Sequence, residues 1–352
     1  MIRRNQAKPD IRDLTLDYLQ DFMTSKGEKN FRTKQVYEWL WKKGINSFDA
    51  MSNVSKTIRE VLSESFTFHK LEVATIKKSK EDKTIKTAFT LHDGLQIESV
   101  LIPSQDRVTA CISTQVGCPL GCKFCATGSM KYQRNLSVGE IFEQVIFLDK
   151  QSNEEHNHGL SNIVIMGMGE PLLNYQHVMT AIHHITAPDE LGMSPSRITL
   201  STAGLVDQIK RLGDDKIKFN LAISLHTVNQ IKRDHLMPVN KSNPLHKISE
   251  AVKYFYDKTG ARITYEYLLI KDFNDSISDA KELATFCKIA PCKINLIEMN
   301  PVKDSTYLRS TPERTKAFFD FLESKNMVVN LRKSKGADID AACGQLVKKI
   351  SI

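Results

Sequence analysis

Cys118, Cys122 and Cys125 stand as C-x3-C-x2-C inside Gly117-Cys118-Pro119-Leu120-Gly121-Cys122-Lys123-Phe124-Cys125-Ala126-Thr127-Gly128. Three thiolates at this spacing can hold three irons of a [4Fe–4S] cube, where full protein ligation takes four. One iron is then open to chelate S-adenosylmethionine through its amino and carboxylate groups. An electron from the cluster would cleave a C–S bond and release a 5′-deoxyadenosyl radical; the cofactor carries the hard chemistry and the protein aims it. A structural zinc ion is the plainer alternative, but it takes four N/S ligands in paired arrangements, and no second pair lies at such spacing. A disulfide framework fits less well. Seven cysteines in 352 residues, with no apolar N-terminal signal region and no long unbroken apolar run, predict a cytoplasmic chain without a membrane segment.

A second group of residues suits the same cofactor. After the apolar run Ile163-Val164-Ile165 comes Met166-Gly167-Met168-Gly169-Glu170-Pro171-Leu172-Leu173-Asn174. Glycines let a ligand approach the backbone, and Glu170 offers an acceptor for an amino group. Following the three-cysteine loop at one strand–helix unit's distance, Gly169 and Glu170 are the expected place for the methionyl ammonium. Ser201, Ser224-Leu225-His226 and Asn300 end further apolar runs. His226 taken alone reads equally well as a hydrogen-bonded histidine near the core.

These residues need elements to position them. From Thr109 onward extended runs near 109–113, 162–168, 197–202, 218–226, 261–270 and 292–299 alternate with helical patterns, including Tyr175–Ile185, Ile248–Tyr256, Ala280–Ile289 and Pro312–Lys325. Ser137-x-x-Glu140 is a capping-box start for the first helix. Six strand–helix units predict a parallel α/β sheet, open or curled into a partial barrel, with functional residues at strand C-terminal ends. Upstream, Leu16, Leu19, Phe22 and Met23 make one helical stripe that stops at Gly27. A second helix runs from a Thr33 cap to Gly44, and a third follows Ser55. Trp39 and Trp41 of the second helix cannot both face one side, so packing is expected for at least one. Thr84–Leu91 and Leu95–Ile102 read as strands about the turn Asp93-Gly94, and the charged stretch 77–83 reads as a solvated loop. The expected regions are a helical accessory domain over 1–70, a β extension over 71–108, the barrel over 109–326, and a C-terminal strand and tail over 327–352.

With 41% hydrophobic and 26% charged residues the chain is neither disordered nor membrane-like. Lys and Arg outnumber Asp and Glu by 49 to 41, a formal charge of +8, which favours a polyanionic partner without naming one.

Over nearly its whole length the chain resembles the RlmN family of radical S-adenosylmethionine adenine-C2 methyltransferases. The stretches that carry the likeness are Gln115 through Gly128, Met166 through Asn174, Ser224-Leu225-His226, Pro291-Cys292-Lys293-Ile294-Asn295-Leu296-Ile297 and Asp338-Ile339-Asp340-Ala341-Ala342-Cys343-Gly344-Gln345-Leu346. The resemblance implies a partial (β/α)6 barrel with an N-terminal helical domain and a small β extension, one [4Fe–4S] cluster, and two S-adenosylmethionine molecules per turnover. It implies 23S rRNA and tRNA as substrates, and a flavodoxin- or ferredoxin-type electron donor for a chain expected to be monomeric. It also gives roles to three residues that local sequence leaves ordinary. Cys343 would carry the methyl group as S-methylcysteine, and its methylene radical would add to adenine C2. Glu98, in Gln96-Ile97-Glu98-Ser99-Val100, would accept the C2 proton. Cys111 would attack the Cys343 sulfur, forming a disulfide and releasing methylated RNA. Cys287 and Cys292 read as structural. Arg332, Lys333, Lys335, Lys348 and Lys349 surround Cys343 with positive charge.

Two other readings stay open on sequence. A resistance-type adenine-C8 methyltransferase would share the three-cysteine loop and the paired cysteines. A noncatalytic iron–sulfur protein that binds RNA or relays electrons would explain the cluster loop and charge, but not Cys111, Cys343 or the glycine-rich turn.

Overall fold

The computed structural model describes residues 8–300, 302 and 305–346. Lys348, Lys349 and the outer ends of the first and last expected regions lie outside them. Helices α1 (Leu16–Ser25), α2 (Asn30–Trp41) and α3 (Lys56–Ser65) come first. Thr15 caps α1 through the Tyr18 N–H, and Ser55 caps α3 through that of Ile58. Thr33 is not a cap. Helix α2 starts at Asn30 with no side-chain cap, and Thr33 is buried inside it. Trp41 is buried, stacked on His184 with centroids 3.6 Å apart, whereas Trp39 is partly open and donates to Asn53.

The sheet holds ten strands: β1 (Glu72–Lys78), β2 (Ile85–Thr90), β3 (Gln96–Ser104), β4 (Arg107–Cys111), β5 (Asn162–Ile165), β6 (Ile198–Thr202), β7 (Asn220–Ser224), β8 (Ile263–Leu269), β9 (Cys292–Glu298) and β10 (Val329–Arg332). Their order in space follows their order in the chain. The pairs from β1 to β4 are antiparallel, and those from β4 to β10 are parallel. Parallel pairing requires crossovers, supplied by α4 (Val138–His156), α5 (Tyr175–Thr186), α6 (Val206–Asp214), α7 (Gln230–Leu236), α8 (Leu245–Thr259), α9 (Ile277–Phe286) and α10 (Pro312–Glu323). Ser137 and Glu140 form the capping box at the start of α4. Strand β8 is buried along its whole length, as a parallel strand covered on both faces must be. The chain is therefore the expected mixed α/β fold, with a central sheet and an N-terminal helical region.

One expectation on the β extension fails. Lys77 and Lys78 belong to β1, so only the rest of that charged stretch forms a loop. Every β1 side chain is exposed, and charge on such an edge discourages pairing with another chain. The helical region is fixed to the barrel by Arg12, which donates to Asp10 (2.7 Å) and to Glu143 of α4 (2.8 Å), all three buried.

Candidate active site

The three cysteines follow β4, on the loop where strand C-terminal ends gather. The loop opens at Gly117, with φ +75°, where a Cβ would lie 2.4 Å from the Lys131 carbonyl oxygen; only glycine fits such a turn. The Cys125 N–H donates to the Cys122 carbonyl (3.2 Å), and the Lys123 N–H donates to the Leu236 carbonyl of α7 (3.0 Å). Beneath lie Leu236, Met237, Leu268, Ile297 and Met299, with Cys122 and Phe124 packed on them.

Cys118, Cys122 and Cys125 line one cavity of about 220 Å³. Among the described residues no three His, Cys, Asp or Glu side chains close on a single metal-ion position. The thiols instead share a wall. Burial pushes Cys118 up to about 12, and raises Cys125. Burial also puts Cys122 well above the usual thiol range, and the charges of Cys125 and Cys118 push it further. Three crowded soft donors that ionise together only beside positive charge fit an iron–sulfur cluster.

The turn after β5 lines the same cavity. Its Met168 N–H donates to Ser113 Oγ (2.8 Å), and its Glu170 N–H to Gln115 Oε1 (2.8 Å). The Glu170 carboxylate accepts from the N–H groups of Ala203 (2.8 Å) and Leu172 (3.1 Å). Burial nevertheless raises it to about 7. An ammonium group at this site would restore the anion.

Ser201 and Ser224 end β6 and β7 with their hydroxyls 3.3 Å apart. His226 adopts the left-handed conformation, and its Nδ1 accepts from the Leu268 N–H (3.1 Å). Burial, and then the positive charge of Arg233, lower it to about 3, so the ring is neutral with its proton on Nε2. Asn300 donates to the Cys343 carbonyl (3.2 Å), while its Oδ1 is buried without a protein partner. Such an acceptor beside the cavity suits a donor on a bound cofactor. Gly169, Glu170, Ser201, Ser224, His226 and Asn300 all reach the cavity. Leu225 is fully buried, and its N–H donates to the Glu266 carbonyl (3.0 Å).

Cys343 faces the same cavity from the segment after β10. That segment is tied to the three-cysteine loop by the Ala126 N–H donating to the Gly344 carbonyl (2.7 Å) and by Thr127 Oγ1 donating to the Leu346 carbonyl (2.6 Å). Cys343 is an exposed residue that lines the cavity. Burial pushes the thiol up to about 11, and the Arg332 guanidinium pulls it back. Cys111, at the end of β4, also lines the cavity. Burial and then the Cys343 charge raise it to about 12, against Arg332. Both are free thiols.

Glu98 does not line the cavity. It is buried on β3, its backbone N–H directed at Met168 Sδ (3.3 Å). In the strand register Lys86 faces Val100 and Val100 faces Cys111. Residues opposite one another share a sheet face and alternate along it, so Glu98, two residues before Val100, stands on the face of Cys111. Sequence reasoning missed Lys86, Arg233 and Glu266. Arg233 is buried and donates to the Ala203 carbonyl (2.8 Å) and the Ser224 carbonyl (3.1 Å), closing the ends of β6 and β7. Glu266 lines the cavity and pairs with Arg332 at 3.3 Å. A lone acid in the otherwise apolar run of β8 was the available signal for it; Lys86 and Arg233 had none.

A parallel barrel sheet with a three-thiolate wall at its strand ends defines a radical S-adenosylmethionine enzyme, and residues 112–286 match the Radical SAM superfamily. Residues 9–67 match the ribosomal RNA large subunit methyltransferase N-terminal domain. The crystal structure of a radical SAM methyltransferase from Sphaerobacter thermophilus superposes with a TM-score of 0.90 at 37% identity, over 96% of this chain and 99% of that one. The probable dual-specificity RNA methyltransferase RlmN of Christiangramia forsetii is 50% identical over 97% of both chains. That of Bacillus velezensis is 41% identical over 97% of this chain and 94% of its own. The chain belongs to the RlmN family and is a radical SAM RNA methyltransferase, a class that uses a [4Fe–4S] cluster and S-adenosylmethionine. Among the described residues no helix is long and apolar enough to cross a membrane.

Proposed function

We propose that this enzyme methylates C2 of an adenine in 23S rRNA and of the adenine beside the anticodon in tRNA. It would act as a cytoplasmic monomer served by a flavodoxin- or ferredoxin-type donor. The observation that carries this reading is the convergence of Cys111 and Cys343 on one cavity whose other wall is the three-thiol loop. A simple iron–sulfur relay has no use for that pair. Cys118, Cys122 and Cys125 would hold the cluster, while Gly169, Glu170, Ser201, Ser224, Leu225, His226 and Asn300 would frame S-adenosylmethionine. When bound, these groups supply methyl transfer and one-electron hydrogen abstraction.

Cys343 accepts the methyl group as a thiolate, a form that the Arg332 guanidinium favours. The carrier carbon, one hydrogen atom having been abstracted from it, then bonds to adenine C2, joining RNA to Cys343 covalently, and the one surplus electron of the adduct would return to the bound cluster. Glu98 takes the C2 proton. The Cys111 thiolate attacks Cys343 Sγ; an S–S bond forms, and the S–C bond breaks with its electron pair leaving on carbon, which takes a proton to become the methyl group. Each turnover consumes two S-adenosylmethionine molecules and leaves a disulfide for the reductant to reopen. The helical region with its Phe31–Gly44 stretch, and Arg332, Lys333 and Lys335 at the cavity, supply contacts for an RNA loop whose adenine is splayed out.

Anaerobic turnover with methyl-deuterated S-adenosylmethionine tests this. The expected product is 2-methyladenosine retaining two of the three methyl deuteria, because the methyl passes through a protein-borne methylene. Retention of all three, or 8-methyladenosine alone, would refute the proposal.

A further inference from the structure

We propose that Lys86 is a positioning residue that ties the proton acceptor to the methyl carrier. This rests on the roles given above to Glu98 and Cys343. Lysine is seldom fully buried unless it is paired, and Lys86, on the strand next to the sheet's edge, is only 5% exposed. Its ammonium group stands 3.2 Å from Glu98 Oε1 and donates to the Asp340 backbone carbonyl at 2.9 Å. Asp340 lies three positions before Cys343. One cation thus holds both the carboxylate of β3 and the segment that presents the carrier sulfur.

The neighbouring contacts place this on a defined path. The loop between β1 and β2 grips the same segment: Asp82 accepts from the Gly336 N–H (2.8 Å), and Asp338 accepts from the Lys80 N–H (3.1 Å). Lys86 continues that row inward, on the sheet face that carries Cys111. Two consequences follow from the charge. The ammonium holds the Glu98 carboxylate in place on β3. The same ammonium fixes Asp340, and with it the approach of Cys343 to the acceptor; misplacement by about 1 Å at such a site costs roughly a hundredfold in rate. Lys86 touches neither cofactor nor the cavity wall, so it acts through Glu98 and Asp340.

The test compares K86M, K86Q and K86R with E98Q in the cluster-loaded full chain. It follows Cys343 S-methylation by peptide mass spectrometry, RNA methylation, and the covalent protein–RNA adduct on denaturing gels. K86M is expected to form S-methylcysteine, to slow RNA methylation by about tenfold or more, and to accumulate adduct as E98Q does. K86Q keeps a donor for the Asp340 carbonyl and loses the charge, so it should accumulate adduct too. K86R should restore turnover in part. In an E98Q background K86M should add much less than it costs alone, since the two share one step. Wild-type turnover in K86M or K86Q would overturn the inference, as would slower turnover without adduct or a full additive loss in the double variant. Should K86M fail to load its cluster, K86Q and K86R decide. If E98Q itself turns over normally without adduct, the role of Glu98 falls; if E98Q is impaired and the Lys86 variants are not, only the Lys86 link falls.

Discussion

Arg12→Met should loosen the helical region from the barrel, and its cost can be worked from the contacts. The Arg12 side chain is 2% exposed; its partners Asp10 and Glu143 are 0% and 9% exposed. Nη2 also donates to the His69 carbonyl at 3.1 Å. Burial alone would raise the Asp10 carboxyl, but the hydrogen bonds and charge of Arg12 overcome it and hold the carboxyl below its ordinary value. Without Arg12 two carboxylates remain buried with no guanidinium. Breaking a buried pair from one side costs about 3–5 kcal/mol. The ceiling comes from protonation: a carboxyl with an ordinary pKa near 4 takes up a proton at pH 7 for about 4 kcal/mol. That escape becomes easier by about 1.4 kcal/mol per pH unit. With two carboxyls to protonate, the loss should therefore be about 3–5 kcal/mol at pH 7 and at most about 3 kcal/mol at pH 5. The wild type keeps the contribution of Asp10 across this window, because a depressed carboxyl loses it only as pH falls through its folded-state value, below 3.8. Urea unfolding followed by tryptophan fluorescence reads the right region, since Trp39 and Trp41 are the only tryptophans and both lie in α2. A loss under about 1 kcal/mol at pH 7, or one equal at both pH values, would refute the reasoning.

Two further outcomes follow from the site. Gly169→Ala places a Cβ 2.5 Å from Gln115 Cβ and 2.9 Å from its backbone nitrogen, at φ +100°; the turn bearing Glu170 must lift, costing about 1–3 kcal/mol, and calorimetry should find S-adenosylmethionine bound about tenfold more weakly or worse. Unchanged affinity would show that the turn does not frame the cofactor. His226, lowered to about 3 by burial and then by Arg233, should show flat ring resonances between about pH 5 and 8. Its unfolded value is higher, so the stability it contributes is complete above about pH 6.5 and falls as the medium is acidified toward 3; a titration step near 6.5 would contradict the buried neutral ring.

The barrel was legible because its signals are local. The strand starts of β5, β6 and β9 and the Ser137 capping box depend on residues within a few positions of one another. Strand β1 was missed because both its faces meet solvent, leaving no alternation of apolar and polar residues. Thr33 looked like a cap, yet the helix passes through it, since its buried position on the inner face outweighs a weak local preference. The cluster loop and the turn after β5 were visible as motifs, but their meeting in one cavity was not. The pairs around them join distant positions: Arg12 reaches Glu143 across 131 residues, and Lys86 reaches Asp340 across 254. No periodicity reports such contacts. Register and crossover topology create them.

The strap from Gly336 to Leu346 runs from the last strand of the sheet back over the cluster loop and the β1–β2 turn. It follows every strand of the sheet, so the cavity is complete only when the chain is present through Leu346. A copy cut short anywhere before it would lack Cys343 and one side of the cavity. Such a fragment would keep the three-cysteine loop and the turn after β5 but lose the side of the cavity that Cys343 closes.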